Sequence, residues 1–113
     1  MLRFKKKKPN IQDSLKEDII AKLKTIFDPE IPVNIYDLGL IYHINIDEKS
    51  HVHIQMTLTS PGCPVAQTFP GTVESNVNQV KGVTDCTVEL VWDPPWTQER
   101  MTEAARLELG IFY

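Results

Sequence analysis

The sequence predicts an α+β two-layer fold with its elements in the order α-β-β-α-β-α, in which a three-stranded antiparallel sheet carries helices on one face. Three observations lead to this prediction: an apolar stripe at helical spacing near the start, two alternating segments around a polar turn, and a later strand between two helical segments. A chain of 113 residues suits one compact domain. We expect a disordered basic tail at residues 1–12 and a single domain at residues 13–113.

The first helix is predicted from a cap and a stripe. Ser14 and Glu17 have the spacing of a capping box, which predicts Ser14 as the N-cap. Apolar residues then recur at helical spacing, namely Leu15, Ile19, Ile20, Leu23, Ile26 and Phe27. We expect this helix to end at Asp28, because a residue that precedes proline disfavours the α conformation.

A β-hairpin follows after a loop. Apolar and polar residues alternate on both sides of the polar turn at residues 47–50, which indicates two strands with one buried face. The apolar positions are Leu40, Tyr42, Ile44 and Ile46 in the first strand and Val52, Ile54, Met56 and Leu58 in the second.

In the second half of the chain, the sequence pattern predicts a helix, a strand and a further helix, in that order. Val65 to Val80 is expected to be helical, with a kink or a restart at Pro70-Gly71 because proline disrupts a helix interior. A third strand is expected at residues 83–92. After a rigid proline turn, Thr97 would cap a final helix that Gly110 ends.

The distribution of charge and cysteine excludes several classes of protein. Residues 1–10 hold five of the 12 basic residues and none of the 15 acidic ones, so the predicted domain is acidic and ill suited to nucleic acid. No apolar run approaches the length of a membrane span, and Ile11–Ile20 is too polar for a secretory signal. With only two cysteines, we expect a cytoplasmic protein without a disulfide framework.

Cys63 is the candidate for chemistry. It lies between Gly62 and Pro64, where the second strand gives way to the next helix. Because Pro64 suits a first helical position, Cys63 would lie at or beside the N-cap, where amide N–H groups and the helix dipole lower the pKa of a thiol below about 8.5. The thiolate binds iron, attacks electrophiles and exchanges with persulfides. The alternative is that Cys63 packs as a small apolar side chain.

The remaining cysteine and the histidines have simpler interpretations. Cys86 lies mid-strand beside apolar residues, and we expect it in the core. His51 and His53 share one strand face, which His43 can also join, and two such imidazoles can share a metal ion. No zinc-like spacing accompanies them, so we expect solvated histidines.

Two further segments are ambiguous. Asp28, Glu30 and Asp37 crowd one loop, where we expect them to fix the turn; alternatively, Asp37 to Gly39 packs beside Cys63. Trp92 and Trp96 flank a stiff turn, and they either close the core beneath the last helix or face a partner.

Three ordered segments together resemble the metal–sulfur cluster biosynthetic family, which includes SufT-type proteins and the PaaD-like domain of phenylacetate degradation. They are Asp28 to Tyr42, Met56 to Pro64 and Val91 to Trp96, and the resemblance spans residues 14 to 111. Pro70-Gly71 and the Lys-rich tail depart from the family pattern.

The resemblance implies an accessory role in maturing iron–sulfur proteins. Cys63 matches the family's reactive position, and the supporting residues around it are Asp37, Thr59, Ser60 and Gly62. Any iron or cluster would be held transiently, because one thiolate cannot supply the four protein ligands of a usual iron–sulfur site. We therefore expect no tightly bound cofactor, and we expect iron–sulfur assembly proteins, such as the SUF machinery, and client apoproteins as partners.

Two other functions stay open at this point. The chain is not expected to be an enzyme, but a thiol hydrolase or persulfide handler would use Cys63 with a nearby histidine. A pure adaptor would bind its partners through Trp92 and Trp96. The sequence also leaves a homodimer open.

Overall fold

The computed structural model describes residues 11–28, 31–59 and 68–110. Along the chain these residues form α1 (Ile11–Leu23), β1 (Ile41–Ile46), β2 (His51–Met56), α2 (Phe69–Val77), β3 (Asp85–Leu90) and α3 (Glu103–Leu109). A 3₁₀ turn, Gln98–Arg100, precedes α3. The predicted α+β class and the order α-β-β-α-β-α are confirmed.

The start of α1 differs from the sequence prediction. The helix begins at Ile11, so Ser14 lies inside it with an exposed side chain and is not the N-cap. Leu15, Ile19 and Leu23 are buried at a spacing of four residues. This packing, more than a capping motif, stabilises the helix, and it allows the helix to extend a turn beyond Ser14.

The end of α1 also comes earlier than predicted, at Leu23. Beyond it, residues 26–28 pair with residues 33–35: the amide of Asp28 donates to the carbonyl of Val33 over 3.1 Å, and that of Ile35 donates to Ile26 over 2.9 Å. A backbone bonded in this extended manner cannot continue the helix. The long loop that precedes the hairpin is therefore a small ordered unit.

The sheet is mixed, with strand order β1-β2-β3. β1 and β2 form the predicted antiparallel hairpin, but β3 runs parallel to β2, so the fully antiparallel arrangement is wrong for this strand. The physical reason is the route between them. α2 carries the chain back across the sheet, and a strand–helix–strand crossover returns the second strand in parallel.

One face of the sheet is packed and the other is open. Val52, Ile54 and Met56 of β2 are buried and lie beside Cys86, Val88 and Leu90 of β3. They share one core with the buried residues of α1 and α2. The opposite face carries polar residues in register, namely His43, Asn45, His51, His53, Gln55, Asp85, Thr87 and Glu89.

Two details of the later helices can be compared with the sequence predictions: the start of α2 lies at the break predicted at Pro70-Gly71, and the cap of α3 differs from the predicted Thr97. α2 begins at Phe69, so Pro70 lies in its first turn, where a missing N–H costs no helical bond and no kink is required. The cap of α3 is Thr102, whose hydroxyl accepts from the amide of Ala105 over 3.2 Å; Thr97 instead precedes the 3₁₀ turn. Gly110 ends α3 as predicted, with a φ of 78°.

Within the described ranges, no helix is long and apolar enough to cross a membrane.

Candidate functional site

The predicted reactive centre lies between two described elements. Cys63, Ser60 and Gly62 fall outside the described residues, so their roles stay predictions. On one side, the chain after β2 is well packed: Thr57 is fully buried and its amide donates to the carbonyl of Leu40 over 2.9 Å. Thr59, the last described residue there, is partly buried.

The helix described after the cysteine is α2 (Phe69–Val77). The N-cap of α2 is Thr68, and its side chain makes no capping hydrogen bond. α2 ends at Val77, short of the predicted Val80, whereas residues 65–67 and Cys63 lie outside the described residues, so the N-cap role of Cys63 stays a prediction. The dipole of α2 has its positive end at Thr68, five positions along the chain from Cys63.

Asp37 lies in a single helical turn at residues 34–39. Its amide donates to Oδ1 of Asn34 over 2.8 Å, while Nδ2 of Asn34 donates to Oδ2 of Asp37 over 2.9 Å. Gly39 ends the turn with a φ of 83°, a conformation that favours glycine. This reciprocal pair agrees with the loop-fixing role that the sequence predicts for Asp37.

Residues 96–102, in the C-terminal part of the chain, form hydrogen bonds to this turn. Nε1 of Trp96 donates to the carbonyl of Leu38 over 2.7 Å, and the amide of Thr102 donates to the carbonyl of Asp37 over 2.9 Å. A side chain on Gly39 would overlap the backbone of Arg100. The backbone of Arg100 therefore occupies the space beside Gly39 that a side chain would need.

Asp28 also fixes its loop, as predicted. Its side chain is buried, and Oδ2 accepts from the amide of Ile31 over 2.8 Å. Glu30 lies outside the described residues.

The two tryptophans have different surroundings. Trp96 is partly buried against the core, which agrees with core closure, whereas Trp92 is 41% exposed. Beside the turn that joins them, the hydroxyl of Tyr42 donates to the carbonyl of Pro94 over 2.8 Å. The guanidinium of Arg100 lies 4.4 Å from the centroid of the Tyr42 ring. Tyr42 thus contacts both Pro94 and Arg100, and Trp92 lies two positions before Pro94 in the chain; these four residues are called the Trp92 patch below.

His51 and His53 lie on the open sheet face, each close to a carboxylate. Nε2 of His53 is 3.2 Å from Oε1 of Glu89, and Nδ1 of His51 is 3.5 Å from Oδ2 of Asp47. The His51 amide, which donates to Asp47, lowers the pKa of that carboxyl. In the described part of the chain, no three His, Cys, Asp or Glu side chains are grouped so that they could hold a metal ion.

Cys86 is a buried free thiol, as predicted. Burial, followed by the nearby charges of Glu74 and Asp85, raises its pKa to about 12. Near neutral pH Cys86 is therefore held mainly as the neutral thiol, a form that disfavours attack on electrophiles.

One important side chain was not found from the sequence. Oε2 of Glu74 accepts from the amide of Val88 over 2.8 Å, which blocks part of the outer edge of β3. Glu74 is a polar residue on a helix, and only the packing of α2 on β3 brings it to that amide. No sequence motif could have identified it.

Comparison with known proteins identifies a family and a fold. A family model described as "Iron-sulfur cluster assembly protein" matches residues 16–90. A Porphyromonas gingivalis protein named "Fe-S protein maturation auxiliary factor" is 46% identical over 84% of this chain and 90% of its own length.

Two further proteins are similar over most of their lengths. The "Fe-S protein maturation auxiliary factor YitW" of Bacillus subtilis is 42% identical over 89% of this chain and 99% of its own length. The crystal structure of a domain of unknown function, DUF59, from Bacillus anthracis superposes with a TM-score of 0.80 at 38% identity, covering 88% of this chain and 94% of that one.

Proposed function

The chain belongs to the family of iron–sulfur cluster assembly proteins, and from this premise we propose that it is an accessory factor that helps to mature iron–sulfur client proteins, with Cys63 as its transient iron or sulfur ligand. The names of its relatives support the accessory role, since they describe auxiliary maturation factors and no catalysed reaction.

The state of Cys86 carries the assignment to Cys63. The chain has two cysteines, and one of them is buried with a pKa raised to about 12. Cluster chemistry at neutral pH needs a thiolate that a partner can reach. If the protein uses a thiolate at all, Cys63 is the residue that supplies it.

Ligand counting makes the function dependent on partners. An iron–sulfur cluster is usually held by four protein ligands, and one chain offers a single available thiolate. A cluster or its iron would therefore be bound jointly with an assembly protein or with the client that receives it. Release follows when the client's own cysteines replace Cys63. We propose that this exchange takes place in the cytoplasm, where thiols stay reduced.

The Trp92 patch is the proposed contact for these partners. It combines an exposed tryptophan with a guanidinium stacked on a tyrosine ring, and such residues are enriched where interfaces have their strongest contacts. Trp96 is bonded into the fold and is not part of this surface. The exposure of Trp92 also favours a second candidate function, an adaptor that binds clients without sulfur chemistry.

Anaerobic reconstitution separates the two functions. The full chain is incubated with ferric iron, sulfide and a small thiol, which reduces part of the iron and supplies the remaining ligands; unbound iron and sulfide are removed by gel filtration before visible absorbance of the protein is recorded. Wild type and Cys86→Ala are expected to develop cluster absorbance, whereas Cys63→Ala does not. Equal absorbance from Cys63→Ala and wild type would contradict the ligand role and leave the adaptor.

A further inference from the structure

The outer edge of β1 is open in the described part of the chain. Among the described residues, β1 is an edge strand and β2 is its one strand partner. The amide of Asp47 donates to the carbonyl of His51 over 3.0 Å, and hydrogen-bonded positions alternate along an antiparallel pair. The backbone N–H and C=O groups of Ile44 and Ile46 therefore point away from β2, toward the open edge.

This edge lacks the usual protection. Exposed edge strands are commonly blocked by charged side chains or proline, and Ile41–Ile46 contains neither. The opposite edge of the sheet is different, because Glu74 occupies the outward amide of Val88 on β3. Ile44 and Ile46 also keep part of their side chains exposed beside the core. One edge of the sheet is thus blocked and the other can accept a strand.

We propose that β1 pairs with β1 of a second copy of this chain, antiparallel, with Asn45 on the two-fold axis. In this register Ile44 forms a hydrogen-bonded pair with Ile46 of the second copy, and the reverse pair forms by symmetry. The two three-stranded sheets become one sheet of six strands. This dimer goes beyond the proposed function and does not depend on it.

The side chains of β1 favour a second copy as the occupant. On the apolar face, Ile44 meets an isoleucine, so each chain covers the other's exposed apolar surface. On the polar face, His43 lies opposite residue 47 of the second copy, whose carboxylate is already bonded within its own hairpin turn, so this pair adds no repulsion. No like charges face each other, so the strand is complementary to itself.

The bulge in β1 explains why the register is centred on Asn45. The pairing with β2 is irregular between Ile41 and His43, and the hydroxyl of Tyr42 is tied to the carbonyl of Pro94. The regular part of the edge begins at His43. A register that uses residues 43–47 avoids the bulge, whereas one centred nearer Tyr42 would require it to pair.

A charge exchange at Asn45 tests the register. The side chain of Asn45 is exposed, and the two-fold axis places it opposite its own copy. Asn45→Lys and Asn45→Glu each place like charges opposite one another, which weakens dimerisation about fivefold. An equimolar mixture pairs lysine with glutamate, so the heterodimer regains at least wild-type affinity. Sedimentation equilibrium of the full chains measures each dissociation constant.

Matched controls lie on the same face of the sheet. Thr87 of β3 is exposed and distant from the β1 edge, so Thr87→Lys and Thr87→Glu should dimerise like wild type. Amide hydrogen exchange gives a second measurement: protection of Ile44 and Ile46 rises with protein concentration.

Three outcomes would overturn the proposal. The first is a wild-type protein that stays monomeric up to on the order of 1 mM, which would leave the edge to another protein's strand. The second is a mixture of the Asn45 variants that does not recover affinity. The third is an equal loss of affinity in the Thr87 controls, which would mean that any charge on this face weakens the dimer.

Discussion

The indole Nε1 of Trp96 donates a hydrogen bond to the backbone carbonyl of Leu38 over 2.7 Å, across 58 positions of sequence. This bond joins the proline turn after β3 to the helical turn that contains Asp37. Together with the Thr102 amide, it holds the Asp37 turn in place from outside. The position of Asp37 is thus set by the C-terminal part of the chain as well as by its own loop.

Removing the indole donor should destabilise the protein. Trp96→Phe keeps much of the apolar contact but leaves the carbonyl of Leu38 without this partner, and we expect a loss of about 1–2 kcal/mol in the free energy of unfolding. Trp92→Phe is the control, because its side chain is exposed, and it should change that free energy by less than about 0.5 kcal/mol. Urea denaturation measures both. Equal losses would contradict the assigned difference.

Alanine substitution at two glycines should change the free energy of unfolding in opposite directions. Gly39→Ala places a side chain against the backbone of Arg100 at a φ of 83°, so we expect a loss of at least about 2 kcal/mol in the free energy of unfolding. Gly71 lies in α2 with open space around it, and Gly71→Ala should be neutral or stabilise by about 0.5–1 kcal/mol. Thermal melts rank the two variants. A Gly39→Ala protein as stable as wild type would mean that the Arg100 contact is absent in solution.

Removing the carboxylate that blocks β3 should have a measurable cost. Glu74→Ala leaves the amide of Val88 without this charged acceptor, and we expect a loss of about 1–3 kcal/mol. Glu48→Ala, in the exposed hairpin turn, is the control and should stay within about 0.5 kcal/mol. A second effect is expected at the sheet edge, since amide exchange of Val88 becomes faster in Glu74→Ala alone. Unchanged protection at Val88 would argue against the bond.

The buried thiol of Cys86 should make stability fall at high pH. Its pKa is raised from an ordinary value of 9.0 to about 12. Between these values the unfolded chain loses the thiol proton and the folded chain keeps it, so the free energy of unfolding decreases as pH rises. Cys86→Ala removes this contribution, and its stability should decline less steeply than that of wild type from pH 9 to 12. Parallel curves for the two proteins would show that burial does not raise this pKa.

The burial of Cys86 should also make it react more slowly with alkylating reagents than Cys63. In native protein at pH 8, iodoacetamide should modify Cys63 at a measurable rate and Cys86 only after unfolding in guanidinium. Peptide mass spectrometry after timed quenching identifies the modified residue. Fast native labelling of Cys86 would contradict its assignment as inert, and an unreactive Cys63 would count against a reachable thiolate.

Much of the fold could be predicted from local patterns. The alternation in β1 and β2 gives their pairing and buried face, because residues on a strand point to alternate sides. The parallel direction of β3 could not be read locally, since it depends on the path of α2 across the sheet. The capping box at Ser14 failed because burial of Leu15 and Ile19 stabilises a longer helix than the motif indicates.

Some contacts of the candidate site could also be predicted from local sequence, and others could not. Asn34 and Asp37 are three positions apart, a spacing that is typical of a side-chain-capped turn, and the structure contains that turn. The contact of Gly39 with Arg100 and the bond from Glu74 to Val88 join residues that are distant in sequence, so only tertiary packing creates them. Cys63 was predicted as the reactive cysteine from its sequence motif. The low reactivity expected of Cys86 follows from the packing around it, which the structure shows.

Complementation tests the central claim most directly. A strain that lacks this protein is given wild type, Cys63→Ser or Cys86→Ser from the same promoter, and the activity of cluster-dependent enzymes is measured at matched protein levels. We predict that wild type and Cys86→Ser restore activity, whereas Cys63→Ser does not. Full restoration by Cys63→Ser would contradict the account, because it would show that maturation does not use the one thiolate assigned to it.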